Sequence, residues 1–244
     1  MRNIMLTLSF DGTNYHGFQR QENGITIQQA VEDAIKKVTG EKLSITGCSR
    51  TDAGVHAAKY ICNFKTESSV PADKFCFALN THLPDDISCT ASSEASLDFH
   101  ARFSAKSKTY TYTIYNAPHK NPILCRFAWH YPIKINLDRM KIAAKSVVGT
   151  HDFSAFMASG GQQKTTIKTV NFLNIAQKDE QIIIEINADG FLYNMVRIIA
   201  GTLVYAGTGK IEFDKIADII ESGDRTLAGI TAPPEGLCLK EIFY

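Results

Sequence analysis

Ser49-Arg50-Thr51-Asp52-Ala53-Gly54-Val55-His56-Ala57 gathers a guanidinium, a carboxylate and an imidazole around one glycine. Residues 42–46 before it and 59–65 after it alternate in the manner of strands. A plain hairpin turn takes about two to five residues of Gly, Asn or Asp type. This connection is longer and richer in reactive groups, and loops fixed on strands are frequent seats of catalytic side chains. Asp52 has two readings. It is a turn former that bonds its own backbone, or an ionised carboxylate acting as nucleophile or base, a state that the nearby Arg50 favours. His56 has no second histidine within helical spacing, so a metal pair is absent there, and it reads as a structural group at a strand start.

A second set of groups spans residues 99–110. Phe99, His100, Arg102, Phe103, Lys106 and Lys108 interleave rings with cations, which suits holding phosphates while bases stack. The same pattern also describes a solvated edge segment with two core phenylalanines. Tyr110 reads either as sheet packing or as a stacking platform for a base. Arg197 sits among Met195, Val196, Ile198 and Ile199 on a helix that otherwise reads as buried, and a buried arginine demands a partner. Asp52 is one of many carboxylates that would serve. Glycine-rich phosphate loops, a Ser-His-Asp order and paired-carboxylate motifs do not stand out. Residues 157–164, with Gly160-Gly161 and Lys164, read as a flexible loop carrying a cation.

The elements that must position these groups follow from periodicity. Ile4, Leu6, Leu8 and Phe10 alternate as a strand, and Asp11-Gly12-Thr13-Asn14 is turn chemistry. Thr26 and Gln29 form a capping box ahead of a helix carrying Ile27, Ala30, Val31, Ala34, Ile35 and Val38, which Gly40 ends. A second helix starts near Pro71 and ends before Leu83-Pro84, and residues 87–92 form a short strand. In residues 108–115, Tyr110, Tyr112 and Ile114 share one face of a strand that bridges two halves. Asn136 caps a helix running to Val148, with Gly149 at its end. Residues 167–175 and 181–186 pair around a turn at 178–180. A helix carrying Met195 to Val204, a further one over 213–220 and a strand over 237–244 complete the chain. Strands outnumber helices and do not alternate with them one for one, which predicts an α+β fold with mainly antiparallel sheets.

The 244 residues suffice for one large domain or two small ones sharing a core. A division into 1–104, carrying the Asp52 loop, and 105–244 is expected. Six scattered cysteines with no Cys-x-x-Cys pair read as free thiols in a reducing compartment. No apolar run reaches membrane-spanning length, and Met1 to Thr7 has no signal-peptide pattern, so a cytoplasmic protein without a membrane partner is expected. With 26 Lys and Arg against 25 Asp and Glu, the net charge is +1, so any nucleic acid must be met by a local basic surface.

Taken together, these segments resemble the TruA-type tRNA pseudouridine synthases. The motif from Arg50 to Ala57 carries the resemblance, with Phe10-Asp11-Gly12, Gly17-Phe18-Gln19-Arg20-Gln21, Phe99-His100-Ala101-Arg102-Phe103, Gly149-Thr150-His151-Asp152-Phe153, Met195-Val196-Arg197 and Pro234-Glu235-Gly236-Leu237 in family order. It implies two similar α+β subdomains around a central catalytic cleft and a homodimer. It also implies an isomerase converting uridine to pseudouridine at positions 38, 39 and 40 of the tRNA anticodon stem-loop, with no organic cofactor and no catalytic metal. By position, Asp52 matches the catalytic aspartate, Arg197 the arginine that pairs with it, and Tyr110 the tyrosine that stacks on the target base. Leu237 matches an apolar pocket wall, and Arg50 the arginine that supports base flipping. The resemblance makes Arg20, Phe99, His100, Arg102, Lys106 and Lys108 RNA contacts. Three positions depart from the pattern: Ser49 stands where glycine is common, Phe18 where tryptophan is frequent, and residues 164–170 replace a Ser-x-Pro-x-Arg segment, with Lys168 keeping only the charge. Two other classes, a catalytically silent RNA-binding or chaperone module and a small-molecule enzyme built on the carboxylate loop, differ from this one in turnover and in salt-dependent tRNA binding respectively.

Overall fold

The computed structural model describes residues 1–161 and 165–244. Lys164, expected in a flexible loop, lies outside the described residues. The chain divides into two units, residues 1–106 with 239–244, and residues 107–238.

In the first unit the alternation of Ile4, Leu6, Leu8 and Phe10 builds strand β1 (Arg2–Phe10), with all four side chains buried. Helix α1 (Ile27–Thr39) starts where the capping box requires: the Thr26 side chain accepts from the Gln29 amide at 3.3 Å. Gly40, at φ +77°, ends it. Strand β2 is only Thr46–Gly47, shorter than the alternation at 42–46 predicts. The reason is Glu32 on α1, whose carboxylate accepts from the Ile45 amide at 3.1 Å and the Ser44 hydroxyl at 3.2 Å. The backbone there is satisfied by a helix side chain and needs no strand partner.

Strand β3 (His56–Thr66) and strand β4 (Ile87–Ala95) both run antiparallel to β1. Between them a 3₁₀ turn at Ala72–Lys74 leads into helix α2 (Phe75–Asn80). Phe75 meets Phe64 of β3 edge-on, with ring centroids 5.5 Å apart.

The second unit opens with strand β5 (Ser107–Tyr115), which carries the short parallel strand β6 (Trp129–His130). Helix α3 (Leu137–Lys145) is capped by Asn136 as expected, but it stops before Val148, because Gly149 opens strand β7 (Gly149–Asp152). Strands β8 (Ile167–Lys178) and β9 (Gln181–Ala188) pair antiparallel around Asp179, whose φ is +54°. The sheet order is β5-β9-β8-β7, antiparallel throughout apart from β6.

Helix α4 (Met195–Thr208) is buried along most of its length, and α3 packs on it. Helix α5 (Ile216–Ser222) starts three residues later than its apolar pattern predicts, because the Lys215 amide bonds the Glu212 carbonyl at 3.1 Å and closes a turn there. Strand β10 (Leu237–Phe243) lies beside β3, in the order β4-β1-β3-β10. The result is an α+β fold with mixed sheets flanked by helices.

Cys48, Cys62, Cys76 and Cys89 are buried in the first unit, while Cys125 and Cys238 are half-buried. Burial pushes the Cys62 thiol well up and the Cys89 thiol up to about 12. A thiol reagent at pH 8 should therefore label Cys125 and Cys238 first, and all six thiols only after unfolding. Fast labelling of Cys62 or Cys89 in the native protein would contradict this packing.

Candidate active site

The Asp52 loop is held at both ends and along its length. At its start the Tyr60 hydroxyl, on β3, donates to the Ser49 carbonyl and accepts from the Ser49 amide at 3.3 Å. Tyr60 is itself fixed by stacking on Phe18, centroids 4.3 Å apart, and Gly47 leaves room for both: a Cβ there would lie 2.2 Å from the Tyr60 oxygen. Ser49 has no positive φ, so the backbone position does not require glycine. Past it, the Val55 amide bonds the Asp52 carbonyl at 3.2 Å and closes a turn with Gly54 at φ +78°.

That turn lies directly on the backbone of residues 12–18. The Phe18 amide donates to Thr51 O at 3.3 Å, and the Gly54 amide to Tyr15 O at 3.2 Å. A Cβ on Gly12 would sit 2.0 Å from the Val55 carbonyl oxygen, and one on Gly17 2.3 Å from that of Thr51. The supporting segment is pinned in turn by Asp86, which accepts from the Tyr15 hydroxyl and, at 3.2 Å, from Asn14. Burial and this carboxylate together push the Tyr15 phenol pKa up. His56 is buried, and its Nδ1 accepts from the Gly12 amide at 3.1 Å with Asp11 Oδ1 at the same distance. Both contacts tie it to the turn at residues 11–12. Asp52 is half-buried and Arg50 exposed.

The second unit carries Tyr110, Arg197 and Leu237. Tyr110 sits within β5 opposite Ile186, buried, with its ring edge-on to Phe191 at 5.2 Å. Arg197, in the first turn of α4, is half-buried. Its Nε donates to Ala232 O at 2.7 Å and its Nη1 to Asn194 Oδ1 at 2.8 Å. Asn194 stands at the α4 N-cap with φ +60° and makes no capping bond with its side chain, which is turned to Arg197 instead. A left-handed non-glycine residue persists where its surroundings over-determine it. Leu237 is buried at the start of β10, after a 3₁₀ turn at Pro234–Gly236 that packs on the Tyr112 ring. The Tyr112 hydroxyl donates to Pro233 O at 2.7 Å, and burial, with the charge of Glu235, holds its pKa well up.

The residues expected to meet RNA are placed unequally. Phe99 tilts against Tyr244 at 5.0 Å, and its carbonyl accepts from Asn3 at 3.0 Å, so it anchors its turn. His100 Nδ1 accepts from the Arg102 and Phe103 amides, both at 3.2 Å, and its ring stacks on Phe103 at 4.3 Å. Arg102 lies over the Phe103 ring at 5.8 Å, and both point into solvent. Arg20 is bound to the buried Glu32 at 3.0 Å, which ties its guanidinium to the α1 frame. Lys106 is exposed and Lys108 half-buried. Among the described residues no group of three or more His, Cys, Asp and Glu is placed to hold a metal ion.

Sequence reading missed Tyr60, Tyr15, Asp86 and Asn194. Tyr60 shows in the sequence only as an inward position of β3. The pairing of Tyr15 with Asp86 joins residues 71 apart and leaves no local pattern.

A family model for tRNA pseudouridine synthases matches residues 7–104 and 143–244. That match includes Arg50, Asp52, Arg197 and Leu237, whereas Tyr110 falls between its two parts. Among curated proteins, the chain is 52% identical to tRNA pseudouridine synthase A of Thermoanaerobacter sp. over 244 residues, the whole of both chains. It is 50% identical to the protein of that name from Acetivibrio thermocellus and 47% identical to that from Clostridium acetobutylicum, again over all of both chains.

Two substitutions test the loop's mooring by urea denaturation. Tyr60→Phe keeps the ring stack but leaves Ser49 short of its partner, and should cost ~1–3 kcal/mol. Gly12→Ala forces a methyl group against the Val55 carbonyl and should cost ~1–3 kcal/mol. Unchanged midpoints in both would mean that the loop is held elsewhere.

Proposed function

The chain belongs to the tRNA pseudouridine synthase family, and from that premise we propose that it acts on uridines 38, 39 and 40 of the anticodon stem-loop with Asp52 as its catalytic carboxylate. The reaction is an isomerisation: the bond between ribose C1′ and base N1 breaks, the base turns, and C1′ joins C5. C5 gives up its proton and N1 gains one, so atoms and electrons balance without a redox partner, and no cofactor or catalytic metal is invoked.

The single observation that carries the reading is the clamping of the Asp52 turn onto residues 12–18, through two backbone hydrogen bonds and two glycines. A backbone held this way restricts the positions open to the carboxylate it carries, so less freedom is lost on reaching the target atom. It serves equally to attack C1′, to add to the base or to take a ribose proton. Arg197 is the proposed partner of Asp52, and its bonds to Ala232 and Asn194 support that role by fixing the guanidinium plane. The target base has to leave its stack, at about a few kcal/mol. Arg50, exposed beside Asp52, would fill the vacated space.

In the same reading Tyr110 stacks on the flipped base and assists removal of the C5 proton, and Leu237 supplies the apolar wall. Arg102, Lys106 and Lys108 would contact phosphates. Arg20 would do so only with the part of its guanidinium that Glu32 leaves exposed. Residues 1–104 would carry the catalytic loop and 105–244 complete the cleft and tRNA site. The protein would act in the cytoplasm as a homodimer. No described helix is long and apolar enough to cross a membrane.

Tritium release from C5-labelled uracil in tRNA reads the reaction directly. Asp52→Asn should abolish release while tRNA binding persists, and undiminished release would overturn the assignment. Tyr110→Phe keeps the ring and removes the hydroxyl. It should bind tRNA normally and turn over more slowly; full activity would reduce Tyr110 to stacking.

A further inference from the structure

We propose that Arg225 is a positioning residue for Arg197, acting through the loop of residues 224–232. The inference rests on the role given above to Arg197. Arg225 is half-buried, and its guanidinium faces neutral acceptors: Nη1 donates to Gly229 O at 2.8 Å and Nη2 to Thr231 Oγ1 at 3.2 Å. Burial draws its pKa below the ordinary arginine value. A partly desolvated cation facing a carbonyl and a hydroxyl, with no carboxylate at those two arms, carries a cost that a loop needing only solubility would not bear.

The contacts run without a gap from this arginine to the next. Gly229 and Thr231, gripped by Arg225, flank Ile230, and Ala232 follows them. Ala232 O accepts from Arg197 Nε at 2.7 Å, and the Ala232 amide donates to Arg197 O at 3.1 Å. The loop also presses backbone against backbone on α4. A Cβ on Gly201 would lie 2.0 Å from Ile230 O, and one on Gly229 2.6 Å from the Thr202 backbone. The Gly229 amide donates to Thr202 Oγ1 at 2.8 Å. With so little slack, the position of Ala232, and with it the Arg197 guanidinium plane, follows the loop's curvature. Arg225 sets that curvature by spanning two acceptors two residues apart. A planar fork does this in one geometry, whereas a lysine ammonium reaches either acceptor without fixing both.

The test uses the full chain, tritium release from labelled tRNA, and a thermal melt of every variant. Arg225→Met and Arg225→Lys should each lower kcat about tenfold or more. KM for tRNA should stay within about twofold, since the interaction lost acts on the reacting centre. Failure of lysine to rescue separates the fork from the charge. In an Arg197→Lys background, adding Arg225→Met should cost less than about a further twofold, because the group it positions is already altered. Should the Arg225 variants fold poorly, Thr231→Val removes one arm only and should lower kcat in the same direction, with a melt near that of the parent. If Arg197→Lys is impaired while Arg225→Met and Thr231→Val turn over normally, the positioning role is overturned and the role of Arg197 stands. Equal losses from Arg225→Met in the two backgrounds overturn it too. An Arg197→Lys enzyme with unchanged kcat would remove the underlying role, and this proposal with it.

Discussion

Where residues 12–18 meet residues 51–55, two backbones touch with no room for side chains between them. A Cβ at Gly12 would stand 2.0 Å from a carbonyl oxygen, inside any van der Waals contact. Much of the first unit serves this approach. β1 delivers Gly12 at its end, and Asp86 after α2 pins Tyr15. Phe18 stacks on Tyr60, and Tyr60 holds Ser49. The main chain of the Asp52 turn is thus placed by the backbone atoms of its neighbours, which shift less readily than side chains do.

The second unit repeats the device with different parts. Gly201 and Gly229 allow the 224–232 loop to lie on the backbone of α4, and a polar side chain, Arg225, sets the loop's shape as Tyr60 does for the Asp52 loop. The consequence is also the same: a charged group, here Arg197, two of whose nitrogens are held by a carbonyl and by an asparagine in the left-handed conformation. The proposed isomerisation cleaves and remakes a bond to one carbon, and such placement of its reacting groups lowers the cost of reaching that geometry.

How far the sequence discloses this depends on the range of the interactions. β1, α1 with its Thr26 cap, β5 and α4 are legible because side-chain period and capping are local. The Arg50–Ala57 motif is legible through its family resemblance. Residues 42–46 mislead because their alternation is real while their hydrogen bonds go to Glu32, ten or more residues away. The pairing of Arg20 with that same glutamate is likewise absent from the local pattern. Ser49 stands where the family commonly has glycine, yet its backbone has no positive φ, and its main chain bonds Tyr60. Contacts between distant backbones, such as Gly12 on Val55, leave no trace in composition or period.

The account stands on the claim that the contact beneath Asp52 sets its chemistry and does not merely hold the fold. Single-turnover pseudouridine formation by Gly17→Ala at saturating tRNA tests that claim most directly. Gly17 has φ +81° and faces the Thr51 carbonyl, so an alanine there strains the brace without touching any group assigned to substrate. The account predicts a rate lower by about tenfold or more with tRNA affinity retained. A folded Gly17→Ala enzyme that forms pseudouridine at the parent rate would contradict it.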